Sequence, residues 1–533
     1  MKIIKEIHFN REVKVFETRP KNLFSMLEES AEKYADNEAL VMNGSRLTYK
    51  EMKDKVEQIA GNLQKSMCVK KGDRVALLLG NSIEFSLLVF AVAKLGAIAV
   101  PLNTRLKEIE LSYMLRQSGS RLLFVDDEFL PKVESMRDED SISTVQYFFL
   151  VGNGTPKRKD YLPYEILEQT STFEDVFVAE DDPLFIMYTS GTTGLPKGAV
   201  GSHISAIHSS MNYQMVLNTN HEAKTLIAVP LFHVTGLIGQ LFHMVRVGGT
   251  SVIMKRFQTE EFITLTAGEQ VSFLFNVPTI YIMMMSHHNF ALYNFSNVNL
   301  IAYGGAPMSS ETIYKLKKYF PNARLHNAYG ATETSSPATI MPRIYDEAKM
   351  DSVGLPVPVG DLIVVNDEDE PCLPGEAGEL LIKGPMVVEG YWDNKSANQA
   401  SFWNGYWRSG DLAKMDVDGF VYIVDRKKDL INRGGEKIFC IEVENVLYNH
   451  PKVLEAAVVG IPDDLFGEVV KAVIVPKDGE ILDEEEIREF VAARLANYKV
   501  PKLIEFASEL PRNPGGKILK NVLRNLQTKV NES

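Results

Sequence analysis

The chain has 533 residues, 45% apolar and 24% charged. These are proportions of a folded globular protein rather than a disordered, collagen-like or coiled-coil one. Its 57 Lys and Arg against 70 Asp and Glu leave a net charge of −13, which disfavours broad binding to nucleic acid or anionic membranes but permits a local basic site.

In chain order, the N-terminal MKIIKEIHFN lacks the apolar core of a secretory signal, so none is predicted. Apolar runs then alternate with helical segments: strand 74–79, helix 84–94, strand 97–100, helix 108–118 and strand 121–125. The stretch 85–102 is strongly apolar, but Lys94, Gly96 and Pro101 interrupt it. A spanning helix needs about 20 mostly uncharged residues, so the stretch predicts a buried helix, a turn at Leu95-Gly96 and a short strand, and no integral membrane segment. Further strands are expected at 225–229, 250–254, 273–275 and 299–303. This repeated order predicts an α/β protein with largely parallel sheets. From about residue 360, strands 361–365, 378–382 and 420–423 are joined by Gly/Pro/Asp turns and predict a β-rich lobe. Beyond Asp425 come helix 441–449, strands 455–460 and 469–475, and helix 483–495. The expected division is a body at 1–424, with two α/β subdomains and the lobe, and a small α+β domain at 425–533. Cys68, Cys372 and Cys440 have neither zinc nor CxxC spacing and read as free thiols of a reducing, cytoplasmic setting.

The most informative stretch is Tyr188-Thr189-Ser190-Gly191-Thr192-Thr193-Gly194-Leu195-Pro196-Lys197-Gly198, directly after an apolar strand. Its glycines let backbone N–H groups approach a ligand, its hydroxyls add donors and Lys197 adds charge. Such a nest suits the phosphates of a nucleotide. It is not a Walker loop, which requires G-x-x-x-x-G-K-[ST], because Pro196 stands at the second glycine. Downstream come Tyr303-Gly304-Gly305-Ala306-Pro307 and Asn327-Ala328-Tyr329-Gly330-Ala331-Thr332-Glu333-Thr334. The second offers an aromatic ring, a hydroxyl and a carboxylate, and a carboxylate with phosphates suits a hard cation. Ser409-Gly410-Asp411 presents a carboxylate able to accept two bonds from a diol. The basic run Asp425-Arg426-Lys427-Lys428 leads to Gly434-Gly435, and Pro514-Gly515-Gly516-Lys517 lies near the end.

These motifs, in this order and over nearly the whole chain, resemble those of the adenylate-forming superfamily of acyl-CoA synthetases, nonribosomal adenylation domains and luciferases. The likeness is greatest to a bacterial medium- or long-chain fatty-acid–CoA ligase. The resemblance implies a mobile C-terminal domain and a two-step reaction. A carboxylate first attacks MgATP to give acyl-adenylate and pyrophosphate. CoA thiol then displaces AMP. Thr189, Thr332, Glu333 and Lys517 are implied as the catalytic set, with Glu333 holding Mg²⁺ and Lys517 bridging carboxylate and α-phosphate. The nucleotide site draws on Thr189, Ser190, Gly191, Thr192, Thr193, Gly194, Lys197, Gly305, Ala306, Pro307, Asn327, Ala328, Tyr329, Gly330, Thr332, Asp411, Arg426 and Lys517. In it Tyr329 stacks on adenine and Asp411 holds the ribose. His233, Thr235, Gly236, Gly304 and Gly330 border the acyl group, with His233 as gate and Gly330 leaving length. Lys428 is the hinge, and Gly434 and Gly435 border the CoA arm. Partners are then a carboxylic acid, ATP and CoA, without nucleic acid; a homodimer is also admitted. Alternatives are an aryl or cinnamate-type acid as substrate, or a separate carrier protein as acceptor. A nucleotide-binding protein without ligase chemistry is disfavoured by the intact Glu333 and Lys517.

Overall fold

The computed structural model describes residues 1–189, 195–512 and 518–525. The chain divides into two compact units. The first comprises residues 1–307, 316–362 and 382–408; the second comprises 308–315, 363–381 and 409–533. The class is α/β, as expected.

Two large sheets make up the first unit. One has seven strands in the order Lys197–Ser202, Pro183–Thr189, Ile98–Pro101, Arg74–Leu78, Leu122–Asp126, Tyr147–Val151, Tyr161–Pro163. All neighbours are parallel except the first pair, an antiparallel hairpin. The other sheet has nine strands. Its parallel centre runs Arg324–Tyr329, Leu300–Gly304, Phe273–Asn276, Lys224–Ile227, Thr250–Ile253, Glu38–Met42. Central strands buried on both faces read as short continuous apolar runs, which is why Arg74–Leu78, Ile98–Pro101, Leu122–Asp126, Lys224–Ile227, Thr250–Ile253, Phe273–Asn276 and Leu300–Gly304 fall within a residue or two of the expected strands, whereas Glu38–Met42, Tyr147–Val151 and Arg324–Tyr329 were not expected.

The apolar stretch 85–102 resolves as expected. Ser82 caps helix Ile83–Lys94 by accepting from Phe85 N. The helix is buried from Phe85 to Ala93, and a helix apolar all round belongs in a core. Gly96, at φ +62°, turns the chain into strand Ile98–Pro101. Among the described residues, no helix is long and apolar enough to cross a membrane.

The second unit carries an antiparallel sheet of Glu436–Ile438, Ile431–Arg433, Gly467–Pro476 and Val453–Asp463, with Leu503–Phe506 parallel to Gly467–Pro476. Helices Cys440–Tyr448 and Glu484–Ala492 contribute Val443, Leu447, Ile487 and Val491 to its core. Strand Val421–Arg426 folds back antiparallel on residues 411–415, and this hairpin belongs to the second unit, ahead of the expected boundary at Asp425.

Candidate active site

In the first unit, strands Pro183–Thr189 and Lys197–Ser202 pair antiparallel, with Thr189 opposite Lys197 in register. A Walker loop opens a helix instead. Ser190, Gly191, Thr192, Thr193 and Gly194 lie outside the described residues. The strand end places the Thr189 hydroxyl 3.3 Å from Glu333 Oε1, to which it donates. Glu333 itself sits in a tight 3₁₀ turn, Thr332–Thr334. Thr334 Oγ1 fixes that turn by accepting from Ala331 N at 2.9 Å, and the Glu333 carbonyl accepts from Val388 N at 2.9 Å.

The sequence reading missed Tyr391. Its hydroxyl donates to Glu333 Oε1 at 2.9 Å, and the Lys197 ammonium lies 5.3 Å from its ring centroid. Burial first, and then the Glu333 charge, push the phenol pKa far up, so Tyr391 remains a donor. The residue arrives by long-range pairing. Val200 N donates to Gly390 O and Trp392 N donates to Gly198 O, zipping residues 390–392 onto strand Lys197–Ser202. A hydroxyl-bearing residue in the Glu389-Gly390-Tyr391-Trp392 turn was the available signal.

Three expected glycines have identifiable backbone reasons. Gly304 pairs in register with Ala328, and a Cβ there would lie 2.2 Å from the Ala328 carbonyl oxygen. At Gly236 it would lie 2.5 Å from Pro230 O. Gly305 has φ +78° and is exposed together with Ala306 and Pro307, leaving this turn open to a flat ligand. A Cβ on Gly330 would meet Thr334 Oγ1 at 3.0 Å and the backbone of Pro337 and Ala338 at 3.2 Å. Its Cβ direction therefore faces a wall rather than open space. Tyr329 ends strand Arg324–Tyr329 and is half-buried. The Asn327 amide donates to Ser352 O at 3.1 Å, and Ala328 is buried.

His233 is tied into its loop at both ends, donating from its N–H to Pro230 O and accepting from Leu237 N. Thr235 opens the wide π-type helix Thr235–Phe242. The His233 Nε2 is buried without a hydrogen-bond partner among the described residues. Burial, with a smaller contribution from Arg105, lowers its pKa to about 4, so the imidazole is neutral at pH 7.

In the second unit, Asp411 and Arg426 are cross-strand partners. Arg426 Nε lies 3.1 Å from Asp411 Oδ1, with the carboxylate buried and the guanidinium half-exposed. Ser409 Oγ accepts from Asp411 N and donates to Leu380 O, while Gly410 takes φ +68°. Lys428 is exposed at the tip of a turn in which Asp429 N and Leu430 N both donate to Arg426 O. Gly434 and Gly435 have φ +60° and +97° in the hairpin between Ile431–Arg433 and Glu436–Ile438. A Cβ on Gly435 would meet nothing within 4 Å. Lys517 lies outside the described residues.

Residues 27–392 match the AMP-binding enzyme family, and residues 442–517 match the AMP-binding enzyme C-terminal domain. The chain belongs to the AMP-binding enzyme family. A curated member, the long-chain-fatty-acid–CoA ligase FadD13 of Mycobacterium tuberculosis, is 36% identical over 90% of this chain and 93% of its own. Among solved AMP-binding enzymes, the anthranilate CoA ligase AuaEII in complex with anthranoyl-AMP superposes with a TM-score of 0.88. It is 28% identical, over 95% of this chain and 97% of that one. The o-succinylbenzoate coenzyme A synthetase of Bacillus subtilis in complex with ATP and magnesium gives a TM-score of 0.82. It is 31% identical, over 95% of this chain and 100% of that one.

A magnesium ion suits the Thr189–Glu333 corner, where the donors are hard oxygens. Among the described residues, Glu6, His8 and Glu180 also bring ligand atoms together. There Arg19 already lies 2.7 Å from both carboxylates, so a guanidinium supplies the charge a metal would.

Proposed function

We propose that this AMP-binding enzyme is an ATP-dependent acid–CoA ligase. It joins a carboxylic acid to CoA through an acyl-adenylate and releases pyrophosphate and AMP. The observation that carries this reading is the Glu333 carboxylate, held by the Thr189 and Tyr391 hydroxyls beside Lys197. Glu333 and Thr189 would hold the magnesium of MgATP, and that ion would neutralise phosphate charge. Lys197 adds positive charge, and the Tyr391 hydroxyl aims the Glu333 carboxylate. Such catalysis is positioning plus charge stabilisation. Lys517 is assigned, by resemblance, to bridge carboxylate and α-phosphate during adenylation. Lys428 is assigned as pivot before thioester formation, and Gly434 and Gly435 as the passage for the CoA arm. Asp411, oriented by Arg426, would accept from the ribose hydroxyls.

We infer a medium- or long-chain fatty acid as the substrate, supported by the likeness to FadD13. The unpartnered His233 Nε2 favours a second reading, an aryl acid whose ring substituent meets the imidazole. Acid-dependent exchange of labelled pyrophosphate into ATP tests the first half-reaction. Its absence with every acid tried would refute the proposal.

A further inference from the structure

A cavity of about 240 Å³ opens at the N-terminal ends of four strands of the nine-stranded sheet: Lys224–Ile227, Phe273–Asn276, Leu300–Gly304 and Arg324–Tyr329. The opposite ends of the same strands carry Gly304 and Tyr329. Thr219, Asn220, Glu222, Ser272, Asn299 and Arg324 are among its lining residues.

Most of these polar groups are engaged by the fold itself. Thr219 Oγ1 lies 2.6 Å from His243 Nε2, Ser272 Oγ accepts from Lys224 N at 3.0 Å, and Asn220 Oδ1 accepts from Glu222 N at 3.0 Å. Arg324 is not. Its buried Nη1 has no hydrogen-bond partner among the described residues. Burial acts against its charge, and Arg343 nearby adds a like charge rather than an opposite one. A buried charged donor left unpaired is costly, and a guanidinium fork matches the oxygens of a carboxylate or phosphate.

We propose that this cavity binds a small oxyanion of the phosphate or carboxylate type, with Arg324 as anchor and the Asn299 amide as a second donor. The exposed Glu222 carboxylate on the same lining disfavours a polyphosphate, so the ligand is a small mono- or dianion. The site is independent of the proposed ligase chemistry.

The full chain tests this in two ways. Crystals soaked in selenate are expected to show an anomalous peak within hydrogen-bonding distance of Arg324 in the wild type and none in Arg324→Gln. In solution, inorganic phosphate and acetate are titrated separately against thermal unfolding. At least one is expected to stabilise the wild type, with binding weakened about tenfold or more in Arg324→Gln, in line with loss of a charge-assisted pair. Which of the two acts identifies the anion class. Binding at the proposed nucleotide site would be common to both proteins and cancels in the comparison. An ordered water alone on Nη1, or equal anion responses in wild type and variant, would overturn the proposal. Arg324 has no ion partner to lose among the described residues, so the variant is expected to fold; if it does not, the wild-type selenate map decides.

Discussion

The Tyr391 hydroxyl donates to Glu333 Oε1 at 2.9 Å, although the two residues are 58 positions apart. The pair links the segment zipped onto strand Lys197–Ser202 with the 3₁₀ turn that carries the carboxylate. Tyr391→Phe removes this donor and leaves the ring. A hydrogen bond to a charged group contributes roughly 1.5–3 kcal/mol, so acid-dependent pyrophosphate release is expected to fall about tenfold or more. The magnesium requirement should rise with it. An unchanged magnesium titration would show that Tyr391 does not orient Glu333.

Two glycine substitutions should separate packing from backbone strain. In Gly304→Ala the new methyl meets the Ala328 carbonyl oxygen at 2.2 Å, and overpacking of this kind costs about 1–3 kcal/mol. Urea unfolding should show the loss. Gly435→Ala meets no neighbour but must hold φ +97°, a strain of about 1–3 kcal/mol local to its hairpin. With the assigned role, thioester formation slows while pyrophosphate exchange is preserved. Equal losses in both steps would count against placing the CoA arm there.

Asp411→Asn keeps the shape of the side chain and removes the charge that pairs with Arg426 at 3.1 Å. A neutral amide oxygen is a weaker acceptor for ribose hydroxyls. The KM for ATP is expected to rise about tenfold or more, with the acid KM little changed. Steady-state kinetics with each substrate varied in turn checks this; a rise confined to the acid would contradict the ribose assignment.

Acid should destabilise the first unit. Burial lowers the pKa of His203, His233 and His326 to about 4 and of His208 and His243 to about 3. Unfolded histidine titrates near about 6.5, so below that pH the unfolded chain binds protons the folded chain refuses. The stability from these neutral imidazoles is complete above the unfolded pKa and is lost as pH falls from there toward 4. Asp425 in the second unit, raised to about 6 by burial, acts with the opposite sign: its contribution is present at low pH and is lost as pH rises through 6. Thermal unfolding between pH 7.5 and pH 5, on the order of one unit either side of the histidine pKa, should show a net fall toward acid. A flat profile would mean that the histidines are not buried as described.

Several central strands, and the strand leading into the glycine-rich segment after Thr189, were legible because they are local; the antiparallel partner Lys197–Ser202 was not expected. Strand 273–275 was expected from an apolar run and is Phe273–Asn276, buried throughout. Thr189 and Glu333 each sat in a motif, and the fold brings them within 3.3 Å. Tyr391 was not legible, because its place depends on pairing with Ala199 far upstream. The space at Gly330 was also beyond sequence reasoning. Absence of a side chain predicts room, but Pro337 and Ala338 return close to it. Arg324 belongs to no motif singled out in the sequence, and only burial revealed an Nη1 without a partner among the described residues.

The most direct test of the ligase reading incubates the purified chain with MgATP, CoA and a graded panel of fatty and aryl acids, scoring pyrophosphate and acyl-CoA together. The expected result is acid-dependent pyrophosphate matched by an equal amount of thioester, strongest for medium- or long-chain acids. Pyrophosphate without acyl-CoA, or no pyrophosphate with any acid, would contradict it.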